Sequence, residues 1–330
     1  MLQFEDNYPL SKLTTLQIGG PAKKFVKVKT EEELIEAIKY AKDQLIPYLI
    51  IGGGSNLLVA DEGINCLVIK NEITGINYTP PRSNFVTPRR WPQGLLRGGI
   101  LKVKSGTSLQ EFVNYTITHG LSSLQKLAGI PGTVGGAVYG NAGAYGQAIS
   151  DHIIKIAALN PDKLTIEQFN NLQCRFNYRD SIFKQNHDII LEVIFKLENG
   201  DQETLQQEAK EILTKRLVKY PPGIKCPGSF FKNIVAETLP KDILDKIPPG
   251  KIVYGKLPAG ALLEEVGAKG QSLDGIEIAS YHANLFINKG AGSAKAFYDL
   301  AKTYAEKVKE KFGITLEPEV QLINLPPLFI

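Results

Sequence analysis

Apolar side chains at Leu34, Ile35, Ala37, Ile38 and Ala41 recur at helical spacing behind Thr30 and Glu33, a pair that predicts a capped helix start. Residues 24–28 and 49–51 read as strands on either side, giving a small α/β unit that ends near Lys70. The pattern resumes as a strand at residues 101–104, and Thr107 with Gln110 predicts a second capping box for a helix that stops at Gly120. Residues 153–159 and 189–197 predict later strands of a middle α+β unit that runs to about Leu213. In the last third, Phe297, Leu300, Ala301, Tyr304, Ala305, Val308 and Phe312 share one helical face, begun by Ser293 and closed by Gly313. Residues 314–323 then read as a strand with Glu319 and Gln321 on one face and Val320 and Leu322 on the other. No internal repeat or low-complexity tract interrupts this order.

Two glycine clusters do interrupt the periodicity. Residues 129–146 are uncharged and rich in glycine and small side chains, and a backbone this bare can lie directly against a large flat ligand or its phosphates. Gly52, Gly53, Gly54, Ser55 and Asn56 follow the apolar run at residues 48–51, a strand-to-turn geometry whose N–H groups can converge on an anion. Leu57 occupies the third glycine position of a G-x-G-x-x-G pattern and no helical pattern follows, which argues against a nicotinamide Rossmann domain. Either cluster alone also fits a tightly packed loop without a ligand. Together they favour one extended ligand between them, with a pyrophosphate at the first turn.

Composition narrows the class. At 330 residues the chain divides into two or three domains, and hydrophobic and charged fractions of 43% and 22% are those of a soluble protein. No apolar stretch is long enough to span a bilayer, and residues 1–6 lack a leader pattern, so a cytoplasmic location is expected. Cys66, Cys174 and Cys226 lie far apart, with only four histidines in the chain, so neither a disulfide framework nor a metal site is expected. A net charge of +4, with 34 acids balancing the basic residues, does not indicate nucleic acid. Repeated proline over residues 79–97 predicts an exposed loop or insertion; the functional rival is an anion clamp using Arg82, Arg89, Arg90 or Arg97.

Seven segments in order, residues 15–22, 52–58, 129–146, 178–184, 228–233, 282–284 and 316–320, resemble the UDP-N-acetylenolpyruvoylglucosamine reductase family of flavoenzymes and span nearly the whole chain. The resemblance implies an α+β protein with an FAD-binding fold of the vanillyl-alcohol oxidase type. Residues 1–70 and 71–213 would be two α/β FAD subdomains, and 214–330 an α+β substrate domain whose last strand carries Glu319. It also implies that NADPH reduces FAD and that UDP-N-acetylglucosamine enolpyruvate is then reduced to UDP-N-acetylmuramate, in peptidoglycan precursor synthesis.

In that chemistry a hydride from flavin N5 goes to C3, and negative charge develops at C2 and the carboxylate. Matching the family's catalytic positions, Arg179 offers a planar cationic fork for the carboxylate. Glu319 can hold or donate a proton if burial raises its pKa. Ser229 delivers the proton to C2, its alkoxide stabilised by Lys232 or nearby amides. The resemblance assigns FAD contacts to Gly52, Gly53, Gly54, Ser55, Asn56, Gly129, Pro131, Gly132, Thr133, Gly135, Gly136, Asn141, Gly143 and Ala144. Substrate contacts fall to Tyr145, Tyr178, Arg216, Lys219, Lys232, Asn233 and Asn288. The chain departs from the family pattern at Pro227, Ile234 and Gln321. Another flavin oxidoreductase on the same fold is disfavoured by the intact Ser229, Arg179 and Glu319. A non-catalytic flavin-binding cell-wall regulator would hold flavin that NADPH cannot reduce.

Overall fold

The computed structural model describes residues 2–80, 98–245, 247 and 250–328. The four arginines of the expected clamp, and the last two residues of the apolar tail, lie outside the described residues. The chain forms two compact units, one of Met1–Phe4, Val26–Gly53 and Leu67–Val218, the other of Glu5–Phe25, Gly54–Cys66 and Lys219–Ile330.

In the first unit the helix Glu31–Asp43 starts as expected: the Thr30 hydroxyl accepts from Glu33 N–H at 3.2 Å. The Glu33 carboxylate reaches one residue further back than a capping box requires, accepting from Lys29 N–H at 2.6 Å. Leu34, Ala37, Ile38 and Ala41 are fully buried with Val26, Val28, Leu67 and Ile69, and Tyr48–Ile51 pairs in parallel with residues 67–70. A five-stranded antiparallel sheet follows, in the order Thr165–Asn170, Ile153–Asn160, Ile189–Leu197, Gly99–Lys104, Ile76–Thr79. Its apolar side chains bury Phe112 and Val113 of the helix Leu109–Thr118 and Val134 and Val138 of the helix Val134–Tyr139.

The second helix cap falls one residue beyond the expected Thr107, and the reciprocal bond of a capping box is not formed by Gln110. Ser108, not Thr107, caps the helix Leu109–Thr118, accepting from Glu111 N–H at 3.5 Å. The Thr107 hydroxyl is held by Gly75, and the Gln110 carboxamide oxygen accepts from Gly129 N–H at 2.6 Å. Tertiary partners outbid the local motif at both positions.

In the second unit the helix Ala294–Phe312 has the limits read from its sequence. Ser293 Oγ accepts from Ala296 N–H at 3.0 Å, and Gly313, at φ 75°, ends it in the left-handed conformation. Its apolar face packs into a core with Phe230, Phe231, Phe286 and the helix Ala259–Glu265. A small antiparallel sheet joins Ser272–Leu273, Ile276–Ile278 and Phe286–Asn288. The strand expected over residues 314–323 divides in two. Phe231 bridges Pro318, with Lys232 N–H donating to Glu317 O at 2.9 Å, and only Gln321–Ile323 forms a strand, parallel to Leu57–Val59. Proline lacks the N–H that a continuous ladder needs. Among the described residues no helix is long and apolar enough to cross a membrane.

Candidate active site

Within the first unit, Gly52 and Gly53 meet the second glycine cluster. A Cβ on Gly53 would stand 2.5 Å from Gly132 Cα, and one on Gly52 would strike the Thr133 hydroxyl. Glycine is needed here because two backbones pass without room for a side chain. Gly132, at φ 118°, also takes a conformation that favours glycine.

The run at residues 129–146, expected as a bare loop, contains the six-residue helix Val134–Tyr139, capped by Thr133 Oγ1 through Gly136 N–H at 3.3 Å. Gly135 is required by packing, since its Cβ would lie 2.8 Å from Ser105 Cβ and 3.0 Å from Ser105 O. Gly136 and Gly140 are not: a Cβ would meet only Thr133 Oγ1 at 3.5 Å and Gly136 O at 3.6 Å, ordinary contacts. Glycines that the protein's own packing does not demand fit a surface against which a flat ligand lies. The amide N–H groups of Gly53 and Gly54 enter none of the hydrogen bonds among the described residues, and Gly54 is left-handed at φ 64°. Successive unspent N–H groups at such a turn suit an anion, so these residues fit a flavin dinucleotide.

Arg179 is fixed against the same run. Asn177 and Asp180 exchange two backbone hydrogen bonds of 3.1 Å, closing a turn in which Arg179 sits at φ 55°. A left-handed arginine is strained, and its surroundings must hold it. The guanidinium donates to Gly143 O at 3.1 Å and Asn141 O at 3.5 Å and lies 5.3 Å from the centre of the Tyr178 ring. Asn141 in turn donates to Asn177 O at 2.9 Å. Tyr145 and Gly146, at φ 53° and 79°, form the two-residue turn between Gly143–Ala144 and Gln147–Ala148. Arg216, on the helix Gln202–Lys219, packs beside Gly129, whose Cβ would be 3.2 Å from Arg216 Cδ.

The second unit contains a pocket of about 270 Å³ lined by Lys219, Ser229, Asn233, His282 and Asn284. Ser229 Oγ lies 3.3 Å from Lys219 Nζ and 3.5 Å from the Tyr220 hydroxyl. The serine loop is fastened by Asn284, which is 2% exposed. Asn284 accepts from Phe231 N–H and donates to Phe231 O, both at 2.8 Å, while Asn284 O accepts from Phe230 N–H at 3.0 Å. His282 Nδ1 accepts from Asn284 N–H at 3.3 Å, which assigns the ring proton to Nε2. Burial, reinforced by the Lys219 and Lys269 cations and opposed by Glu264, pushes the His282 pKa down to about 4.

The remaining expected residues are occupied differently. Lys232 pairs with Glu317 at 3.0 Å, leaving Lys219 as the ammonium beside Ser229. Asn233 caps the helix Ala259–Glu265 by accepting from Ala259 N–H at 3.2 Å, and also lines the pocket. Asn288 is buried and committed to structure: it donates to Leu16 O at 3.1 Å and accepts from Gly290 and Gly292 N–H at 2.8 and 3.0 Å. Glu319 is half-buried; its N–H donates to Phe230 O at 2.7 Å and its carbonyl accepts from Asn56 Nδ2 at 3.0 Å. Ile234 begins a short strand and pairs with Leu257. The sequence reading missed the clamp by Asn284 and the placement of Lys219; the His-Ala-Asn segment carried the signal for the first. The three cysteines are separate buried thiols, and burial pushes those of Cys66 and Cys174 up to about 11 and about 12.

The family profile described as UDP-N-acetylenolpyruvoylglucosamine reductase, C-terminal domain, matches residues 221–323. A profile described as FAD binding domain matches residues 22–166. The UDP-N-acetylenolpyruvoylglucosamine reductase of Solibacter usitatus is 36% identical over 317 residues, covering 96% of this chain and 95% of its own. That of Bacillus subtilis is 35% identical over 319 residues, with 96% and 93% covered. The crystal structure of the Thermus caldophilus reductase superimposes with a TM-score of 0.71 at 29% identity, over 98% of this chain and 100% of that one. With this likeness along its whole length, the chain belongs to the UDP-N-acetylenolpyruvoylglucosamine reductase family and is an FAD-containing oxidoreductase of α+β fold.

Proposed function

We propose that this enzyme uses NADPH to reduce UDP-N-acetylglucosamine enolpyruvate to UDP-N-acetylmuramate, in the cytoplasm, for peptidoglycan precursor synthesis. The observation that carries the reading is Ser229, whose hydroxyl lies 3.3 Å from Lys219 Nζ on a polar pocket. FAD, when bound, supplies the hydride for C3 of the enolpyruvyl group.

The protein's own residues have three tasks. Arg179 binds the substrate carboxylate through its fork, and the two carbonyls that orient its guanidinium support that role. Ser229 gives its proton to C2. The resulting alkoxide needs a nearby positive charge, which Lys219 supplies. Glu319 is the carboxyl assigned to the same site, and the bond of its main-chain N–H to Phe230 O, next to Ser229, supports its place beside the serine loop. Asn233 and His282 Nε2–H offer uncharged donors to the nucleotide sugar. Gly52, Gly53, Gly132, Thr133 and Gly136 form the FAD surface, a reading supported by their close approach and by the absence of a packing demand at Gly136. In this reading residues 1–70 and 71–213 bind FAD and 214–330 carries the substrate; the unit boundary at Lys219 supports the last division.

The test is incubation of purified protein with NADPH and UDP-N-acetylglucosamine enolpyruvate, with the product analysed by mass spectrometry. A product heavier by two hydrogens that co-elutes with UDP-N-acetylmuramate supports the reading. NADPH oxidation that leaves the nucleotide unchanged rejects the substrate.

A further inference from the structure

His152 ends the 3-10 turn Ile149–His152 of the first unit, half-buried, with its Nε2 2.6 Å from Gln147 Nε2. The same Gln147 nitrogen donates to Ser123 O, so the carboxamide presents its N–H groups to both neighbours. An amide nitrogen does not accept. His152 Nε2 is therefore the acceptor, and the ring proton sits on Nδ1. Ser123 is itself held at φ 96°, a strained conformation for serine, with its N–H donating to Gln125 Oε1 at 2.8 Å.

Gln147 belongs to the hairpin that orients the catalytic arginine. It pairs with Ala144, while Gly143, paired with Ala148, supplies the carbonyl that accepts from Arg179 at 3.1 Å. The two strands leave no room between them, since a Cβ on Gly143 would stand 2.5 Å from Gln147 O. Fixing the Gln147 side chain thus fixes the carbonyl that aims the guanidinium. At the base of the hairpin Ala148 N–H donates to the Asp151 carboxylate and Ile149 N–H to Ala142 O, both at 2.9 Å.

The tie through His152 exists only while the imidazole is neutral. Burial pushes the His152 pKa below the usual histidine value, against the opposing pull of Asp151 on its own turn and Glu198 at the end of the neighbouring strand. A proton on Nε2 would set N–H against N–H. Turning the carboxamide over would offer its oxygen to the imidazolium but face that oxygen against Ser123 O, so one of the two bonds is lost either way.

We propose that His152 is a positioning residue for Arg179: its neutral Nε2 locks Gln147, and with it the hairpin carbonyl that aims the guanidinium, and protonation releases the lock. The inference rests on the reading that Arg179 binds the substrate carboxylate.

The experiment measures KM and kcat for UDP-N-acetylglucosamine enolpyruvate from pH 8 to pH 5 in wild type and H152Q, beside hydrogen-exchange mass spectrometry of residues 143–148 without substrate. A glutamine oxygen at residue 152 can accept from Gln147 and does not titrate. As pH falls, the KM of wild type relative to H152Q is expected to rise about threefold to tenfold, the weight of one hydrogen bond, with relative kcat within about twofold. Residues 143–148 should lose protection in wild type over the same range and keep it in H152Q. A KM ratio that is flat with pH, or exchange that runs parallel in the two proteins, would overturn the proposal; a merely structural role gives H152Q the same loss at every pH. An R179K enzyme with unchanged KM at pH 8 would instead overturn the carboxylate reading, and the exchange result still decides the lock. Should H152Q not fold, wild type carries the test: exchange at residues 143–148, relative to the helix Leu109–Thr118, must rise as the His152 ring protonates in an NMR titration, and a flat response rejects the lock.

Discussion

In the first compact unit the candidate site is mostly main chain, whereas in the second it is a set of side chains around one hydroxyl. Gly53 and Gly132 approach so closely that neither backbone has room for a side chain, and Arg179 is held by carbonyl oxygens of the glycine run. Ser229 instead depends on Lys219, Tyr220 and the Asn284 clamp. Backbone surfaces of the first kind suit a large planar ligand that stays in place. Side-chain pockets of the second kind suit a proton transfer, where one functional group must be aimed and one charge stabilised. Substitutions in the two regions should therefore fail in different ways: losses of cofactor or stability in one, losses of turnover or pH response in the other.

The largest expected effect is chemical. Ser229→Ala should keep its FAD and its reduction by NADPH but lose substrate turnover by roughly a hundredfold or more, as for other lost catalytic groups. Steady-state product formation beside a flavin bleaching assay checks this, and near-normal turnover would remove Ser229 from the mechanism.

Next comes pH. The unfolded chain protonates His282 near pH ~6.5, while the folded chain resists protonation until about 4. Stability present above pH ~6.5 is therefore lost as pH falls towards 4, by up to about 3 kcal/mol. Urea unfolding of wild type and His282→Gln across that range should show the acid limb flattened in the variant; parallel curves would contradict the buried neutral histidine.

Gly53→Ala and Gly136→Ala sharpen the contrast within the glycine clusters themselves. The first meets backbone at 2.5 Å and should cost about 1–3 kcal/mol of stability in thermal or urea melts. The second meets only an ordinary 3.5 Å contact inside a helix, so the flavin-free protein should be unchanged or stabilised by up to about 1 kcal/mol. If FAD lies on that face, Gly136→Ala nevertheless weakens FAD binding. A variant with full FAD affinity would show that the cofactor lies elsewhere.

How much was legible in the sequence follows the same division. Helix limits set by local chemistry, such as Thr30 with Glu33 and Ser293 with Gly313, could be read directly because cap and partner lie within one turn. Thr107 and Gln110 misled because their partners, Gly75 and Gly129, are remote in sequence. The glycine run announced a bare surface, but not the helix inside it or which of its glycines serve packing. Ser229, Arg179 and Glu319 were found by resemblance rather than by pattern.

The most direct test of the account is anaerobic stopped-flow absorbance of the purified wild-type enzyme, mixed first with NADPH and then with UDP-N-acetylglucosamine enolpyruvate. The account predicts that the flavin bleaches in the first step and regains its colour rapidly in the second, with UDP-N-acetylmuramate formed. Flavin that stays bleached after substrate is added would contradict the proposed acceptor, and a protein with no reducible flavin would contradict the account as a whole.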